Sequence, residues 1–195
     1  MNRIDIINLA LRRLKQTAIK SLNDGSLRSE DMQSLYENTL DGLLARRNFS
    51  FALKDCLIFP LRDENNVRGE YKRDIFGRYI YPLPKDFIRK SFANRPGELF
   101  AVWADGIHSS GPEPIKMLYV FKQRDEQRLS AYFINALVAA LCFNSSDKLN
   151  LSAEDKTAFW KECEEYLDEA GRIDAYNIPT QKMPKSDFEA AYEGD

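Results

Sequence analysis

The stretch that decides the fold is Leu129–Cys142, with the sequence LSAYFINALVAALC. Ser130 is a typical helix N-cap, and the residues after it are apolar on two sides of the helix that their spacing predicts. Because a helix that is apolar nearly all round must be covered on every side, we expect this one at the centre of the core. Its alanines allow neighbouring elements to pack closely.

Three amphipathic patterns surround this central helix along the chain. Apolar residues recur at three- and four-residue spacing over residues 4–14, 32–44 and 159–173, which predicts one buried stripe on each of three further helices. Turn-forming residues at 23–26 separate the first two helices, and Ser29 and Ser152 are placed to begin the second and the last. Four helices from the two ends of the chain can close one bundle.

The middle of the chain has a different pattern. Short runs rich in aromatic and β-branched residues, bounded by Pro, Gly, Asn and Asp, predict strands at residues 57–59, 79–81, 99–103 and 117–121. Two long polar loops are expected at residues 62–75 and 104–114, and loops of that length in a compact domain are usually functional or disordered.

Together these patterns predict an α+β, helix-dominated fold. We expect a four-helix bundle formed by the N- and C-terminal halves, residues 1–55 and 129–177. A central β-rich insertion with long loops, residues 56–128, would project from it. Residues 178–195 would form an extended, flexible C-terminal tail, since Pro179 ends the last helix at the latest.

Composition and charge exclude several classes of protein. Apolar residues make up 44% of the chain, which is enough for a real core and excludes global disorder. The formal net charge is only -2, so the chain as a whole does not resemble a nucleic-acid binder. The charge is unevenly spread, however: residues 62–95 hold nine Lys and Arg against five Asp and Glu, and residues 147–195 hold six against thirteen. Such asymmetry can reflect contacts between copies of the chain or simply a solvated acidic helix face.

Residues that could carry chemistry form no recognisable constellation. The single histidine, His108, is expected to be an ordinary loop histidine. Acidic residues cluster at 162–169, where a solvated helix face is favoured over a hydrolytic or cation site. The three cysteines suit neither a disulfide framework nor a zinc site, and a reducing, cytoplasmic site of synthesis fits them best. We therefore expect no catalytic residues, no metal, no cofactor and no membrane span.

Several local sequences, in order and spacing, resemble the head-to-tail adaptor (tail tubular protein A) family of short-tailed bacteriophages. The resemblance covers residues 4–177 and is carried by Ile7–Leu14, Ile19–Ser26, Leu35–Leu44, Arg47–Ala52, Tyr79–Phe87 and Tyr132–Leu141. Two positions depart from the family pattern: Lys15 stands where the family turns with Gly, and Phe49 stands where it has Trp. Both departures concern local packing.

The resemblance implies a non-enzymatic virion protein, synthesised in the cytoplasm of the bacterial host. It implies a homo-oligomeric ring, typically of twelve copies, between the portal protein and the tail nozzle protein, through which double-stranded DNA passes. Phe188 and Tyr192 become candidate portal-binding residues in the tail. The candidate basic residues for the lumen or the subunit interface are Arg68, Lys72, Arg73, Arg78, Lys85, Arg89 and Lys90.

Two alternatives to the adaptor role remain open. The acidic cluster could belong to a tail-associated hydrolase of polysaccharide or cell wall, which needs two carboxylates about 5–10 Å apart in a cleft. The chain could instead be a head-completion connector from a different tail type, which would share the ring role but not the partners.

Overall fold

The computed structural model describes residues 1–22, 27–63, 70–93 and 101–176. Within them the four predicted helices are confirmed: α1 (Arg3–Arg13), α2 (Leu27–Arg46), α3 (Ala131–Ser145) and α4 (Ala153–Ala175). Side-chain caps begin three of them, because Asn2, Ser130 and Ser152 each accept a backbone N–H from the first turn. None of the described helices is both long and apolar enough to cross a membrane.

Between α2 and α3 the described residues form six strands: β1 (Leu53–Ile58), β2 (Tyr79–Tyr81), β3 (Phe87–Ala93), β4 (Ala101–Trp103), β5 (Gly106–Ser109) and β6 (Ile115–Phe121). They form two three-stranded antiparallel sheets. The large sheet has the order β1-β6-β3, and the small sheet has the order β2-β5-β4. Short 3₁₀ turns at Ser50–Ala52 and Glu126–Arg128 connect the large sheet to the helices.

The core of the helical part is centred on α3, as its sequence predicts. α3 contacts α1, α2 and α4, and most of its side chains from Phe133 to Cys142 are buried. Phe133 also meets two rings from the segment before β1, with centroid distances of 5.0 Å to Phe49 and 5.2 Å to Phe51. One side of α3 is therefore covered by the segment that leads into the large sheet, and not by a helix.

The prediction of a four-helix bundle with a projecting β insertion is wrong. The chain is a mixed α+β fold of four helices and two antiparallel sheets within the described residues, because helices and strands share a core. Val120 of β6 is completely buried in the helical core, and Leu53 of β1 and Ile88 of β3 pack against it. The sequence shows that α3 is apolar all round, but periodicity cannot tell whether a helix or a strand covers each side.

A second core joins the two sheets. Ile115, Met117 and Tyr119 alternate along β6 on the side away from the helices, and they pack with Tyr81 of β2 and Ile107 of β5. β6 therefore has the helical core on one side and the small sheet on the other. This arrangement holds the small sheet on the body of the molecule and positions the site described next.

Candidate interaction site

The aromatic turn, defined here as residues 74–78, lies immediately before β2 of the small sheet. The backbone N–H of Gly77 donates to the carbonyl of Asp74 over 3.0 Å, and the N–H of Asp74 donates to the carbonyl of Arg78 over 2.9 Å. The carboxylate of Asp74 accepts two further backbone N–H groups, from Phe76 and Arg78, at 2.9 Å each. Gly77 has φ +76°, a conformation that glycine adopts without strain. The turn is thus closed by four hydrogen bonds.

This closed turn displays large apolar side chains to solvent. Ile75 is 91% exposed and Phe76 is 68% exposed. Trp103 at the end of β4 lies beside Phe76, with their rings nearly perpendicular and their centroids 6.4 Å apart. Clustered exposed apolar side chains of this size are typical of a surface that contacts another protein.

His108 lies beneath the aromatic turn and is almost completely buried, at 1% exposure. Its Nδ1 is 2.7 Å from Asp74 Oδ2, and its Nε2 is 2.9 Å from Asp105 Oδ1. Each ring nitrogen is therefore within hydrogen-bond distance of a carboxylate oxygen, one from the turn and one from the loop before β5. The Trp103 ring covers the imidazole at a centroid distance of 4.4 Å. The histidine therefore links the turn to β5 and to the loop before it.

Arg78 completes the charge balance of this cluster. Its Nε donates to Asp74 Oδ2 over 2.7 Å, and its guanidinium lies over the ring of Trp103 at 4.3 Å and over that of Phe76 at 5.1 Å. Burial alone would raise the pKa of Asp74, but the hydrogen bonds from His108 and Arg78 outweigh it and hold this pKa well below its usual range. The hydrogen bond from His108 likewise lowers the pKa of Asp105.

This arrangement is better suited to holding the aromatic turn in place than to catalysis. A general base needs a free lone pair, and both ring nitrogens of His108 are engaged with carboxylates. A general acid of the glycosidase type needs a raised pKa, whereas those of Asp74 and Asp105 are lowered. What the cluster does provide is rigidity, because hydrogen bonds to Asp74 from His108, Arg78 and two backbone N–H groups fix the backbone that displays Ile75 and Phe76.

The other candidate residues for chemistry in the sequence are the cysteines and the acidic cluster of α4. Burial raises the pKa of Cys142 and of Cys163 to about 11, so these are packed thiols. Three acids of α4 form ion pairs with arginines of α1 and of the end of α2: Glu162 with Arg13, Glu164 with Arg46, and Asp168 with Arg47. The acidic cluster of residues 162–169 is therefore largely bound within the chain and not simply solvated. No group of three potential metal-ligating side chains is found in the described ranges.

The predicted basic residues fall into three different environments. Lys72 and Arg73 are exposed just before the aromatic turn, and Arg73 lies over the Tyr79 ring at 4.4 Å while donating to its hydroxyl. Together with Arg78 they are the predicted residues that the fold places at one site. Lys85 is exposed in the segment between β2 and β3. Arg68 lies outside the described residues, as do Phe188 and Tyr192 of the predicted tail.

The remaining two basic residues belong to β3. Arg89 donates from Nε to the carbonyl of Ala45 over 2.6 Å and from a terminal nitrogen to Asn48 Oδ1 over 2.7 Å. It thus ties β3 to the end of α2, where orphan carbonyls favour cations, and its role is structural. Lys90 is half-buried opposite Tyr119 in the large sheet.

The expectation that His108 is an ordinary loop histidine is wrong. It is a buried strand residue, because the predicted loop at 104–114 contains β5. A signal was present in the sequence: Asp74 three residues before Gly77 predicts a turn that leaves Ile75 and Phe76 outside any core. Nothing in the sequence, however, showed that a residue 34 positions later pairs with that aspartate.

The site is defined by contacts between the aromatic turn and the small sheet, above all those of Asp74, Trp103 and His108. Comparison with known proteins adds no family to it: no protein-family model matches the chain, and no curated protein sequence matches it significantly.

Proposed function

We propose that this protein is a non-enzymatic structural subunit of a bacteriophage head-to-tail connector. Copies of it would form a ring between the portal protein and the tail nozzle protein, and the ring would complete the channel through which the genome passes. The basis is the resemblance of residues 4–177 to the adaptor family, together with a surface suited to protein contact.

The observation that carries the proposal is the aromatic turn. A free protein gains nothing from exposing Ile75 and Phe76, and burying the His108 cluster beneath them is costly in itself. Both features become useful when a partner covers the turn, since a surface held rigid before binding loses less conformational entropy on association. We infer that the turn contacts the nozzle protein, which also suits its place at the edge of the predicted loop 62–75.

Exposed cations supply a second, weaker line of support. Lys72, Arg73 and Lys85 are solvent-accessible within the described residues. In a ring they would face either the DNA channel or the neighbouring subunit, and contacts with phosphate would be non-specific and sensitive to salt. Arg89 supports this role less, because its guanidinium donates to the carbonyl of Ala45 at the end of α2.

The hydrolase alternative loses its main support. Its best argument was the acidic cluster of α4, and three of those carboxylates are in ion pairs with arginine. Asp74 and Asp105 flank His108, but neither has the raised pKa that a protonating acid needs. We keep the connector role as the proposed function.

Light scattering tests the proposal directly. The mass of the purified protein is measured alone and after mixing with the portal protein of the same phage. We expect a multi-copy complex with the portal, and we expect Phe188→Ala/Tyr192→Ala to lower its yield at least tenfold if the tail anchors it. A matched control, Tyr132→Ala on the exposed side of α3, should leave the complex intact. Indifference of the wild-type protein to the portal would sink the adaptor role.

A further inference from the structure

A small apolar pocket lies between α1, α2 and the end of α3. It is lined by Leu11, Leu14, Met32, Leu35 and Leu149, and its volume is about 140 Å³. Apolar cavities of roughly this size hold one aromatic ring, as an engineered cavity of about 150 Å³ that binds benzene shows. The pocket therefore has the dimensions of a single aromatic side chain.

One polar group in the pocket lacks a partner. Ser145, near the end of α3, lines the pocket and is only 6% exposed. Its hydroxyl makes no hydrogen bond to any described residue. A buried hydroxyl without a partner is costly, so its presence here indicates a ligand that is apolar over most of its surface and carries one polar atom. The phenol of a tyrosine has this character.

The rim of the pocket contains one ion pair, Asp31 with Lys148, and a basic segment, residues 12–20. Residues 12–20, which include the pocket residues Leu14 and Gln16, hold four Lys and Arg and no acid. Arg12 and Lys15 are exposed and have no carboxylate partner within the described residues. Residues 187–195 have the opposite composition, with four Asp and Glu and no Lys or Arg, and they include Phe188 and Tyr192. The two segments therefore have opposite charge, and residues 187–195 also supply aromatic side chains for an apolar pocket.

We propose that in the free protein, before the tail meets the portal, the pocket binds the segment 177–195 of the same chain, with the Tyr192 ring in the pocket and its hydroxyl bonded to Ser145. The reach is sufficient. The pocket residue Leu149 precedes α4, whose 23 residues span about 35 Å. The stretch from residue 177 to residue 192 spans up to about 50 Å when extended, so it can return along α4 to the pocket.

The other candidate occupant is the aromatic turn of a second copy, and it fits less well. Ile75 and Phe76 carry no polar side-chain atom for the Ser145 hydroxyl. The exposed cations beside the turn, Lys72 and Arg73, would meet the basic segment of residues 12–20 and be repelled. The acidic, tyrosine-bearing segment satisfies both requirements.

Photo-crosslinking in the full-length protein tests this contact, without portal, so that it can fail independently of the proposed function. The photoreactive residue p-benzoylphenylalanine replaces Phe188, which leaves Tyr192 in place, and linked peptides are identified by mass spectrometry. Mixing ¹⁴N- and ¹⁵N-labelled protein distinguishes links within one chain from links between chains. We expect links to residues 11–16, 31–35 or 145–149, all within one chain. The same photoreactive residue at Tyr176, exposed at the end of α4, is the control and should not give them.

Variants test whether the Ser145 hydroxyl and the charges of the two segments cause the crosslinks to the pocket. Ser145→Ala and Tyr192→Phe should each lower the yield of pocket links about threefold or more, and the double variant should lower it no further. Arg12→Glu/Lys15→Glu should lower it at least fivefold, and adding Asp187→Lys/Glu189→Lys should restore it. Thermal unfolding shows that each variant is folded. Absence of pocket links in the folded protein, links only between chains, or failure of the charge exchange to restore them would overturn the proposal.

Discussion

The helical part and the aromatic turn place apolar and charged side chains in opposite ways. Around α3 the apolar residues are buried, and charges such as Glu164 and Arg46 pair at the surface. At the turn the polar side chains of His108 and Asp74 are buried, and Ile75 and Phe76 face solvent. The first arrangement is what folding stability requires. The second leaves apolar surface in water, and we propose that the turn serves a contact made outside the free chain.

The largest effect is expected where the helical core is opened. Phe133→Ala should lower the free energy of unfolding by about 3–5 kcal/mol, because the ring is completely buried and packs against Phe49 and Phe51. Phe76→Ala, the same substitution on the exposed turn, should change it by no more than about 0.5 kcal/mol. Urea denaturation measures both. If both variants lost the same free energy of unfolding, Phe76 would be as important to the fold as Phe133, and the proposed difference between the two regions would be wrong.

A smaller loss is expected when the buried charge network is broken. His108→Ala should lower the free energy of unfolding by about 2–3 kcal/mol, because Asp74 and Asp105 lose a hydrogen-bond partner while Arg78 still donates to Asp74. The turn should also lose order, which hydrogen exchange of the Phe76 and Arg78 amides would report as faster exchange. If those amides stay protected, the histidine does not hold the turn.

The pH dependence of stability distinguishes the carboxylate of the aromatic turn from its exposed apolar side chains. The pKa of Asp74 is lower in the folded protein than in the unfolded chain, where it is near 3.9. Its stabilising contribution is therefore fully present above that value and is lost as the pH falls through the depressed folded pKa. Asp74→Asn should be less stable than wild type at pH 6, and the gap should narrow at pH 3. Phe76→Ala, which alters no carboxylate, should follow the wild-type curve; a constant gap for Asp74→Asn would contradict the assignment.

The smallest effect on stability is expected at the turn itself. Ile75→Ser/Phe76→Ser should leave the midpoint of urea unfolding unchanged within about 0.5 kcal/mol, since both side chains already face solvent. Circular dichroism and urea unfolding check this directly. A large loss would mean that the two side chains serve the fold and not a partner.

Sequence predicts the elements whose pattern is local and misses those defined by partners far along the chain. α3 was predicted from its apolar residues, and the start of α4 from Ser152. The predicted start of α2 at Ser29 is wrong, because the helix begins at Leu27. β3 was missed because Arg89 and Lys90 interrupt its apolar pattern and its register shifts in two places. β5 was missed because Gly106 and His108 are typical loop residues. In the structure it is the central strand of the small sheet, between β2 and β4.

The candidate site was predicted only in part, for the same reason. Arg73 and Arg78 were singled out as basic residues beside aromatics, and they do lie at the turn. That Arg78 serves the buried cluster, and that His108 links Asp74 to Asp105, depends on pairing between β2, β5 and β4. The periodicity of a single sequence does not show which strands pair with each other.

Recruitment of the nozzle protein tests the central claim most directly, namely that the rigid aromatic turn is an interaction surface of a connector subunit. The mass of the complex of this protein with the portal is measured by light scattering before and after addition of the nozzle protein. We predict that the wild-type complex gains the nozzle, whereas Ile75→Ser/Phe76→Ser still joins the portal but binds the nozzle at least thirtyfold more weakly. Unchanged nozzle binding by this folded variant would contradict the account.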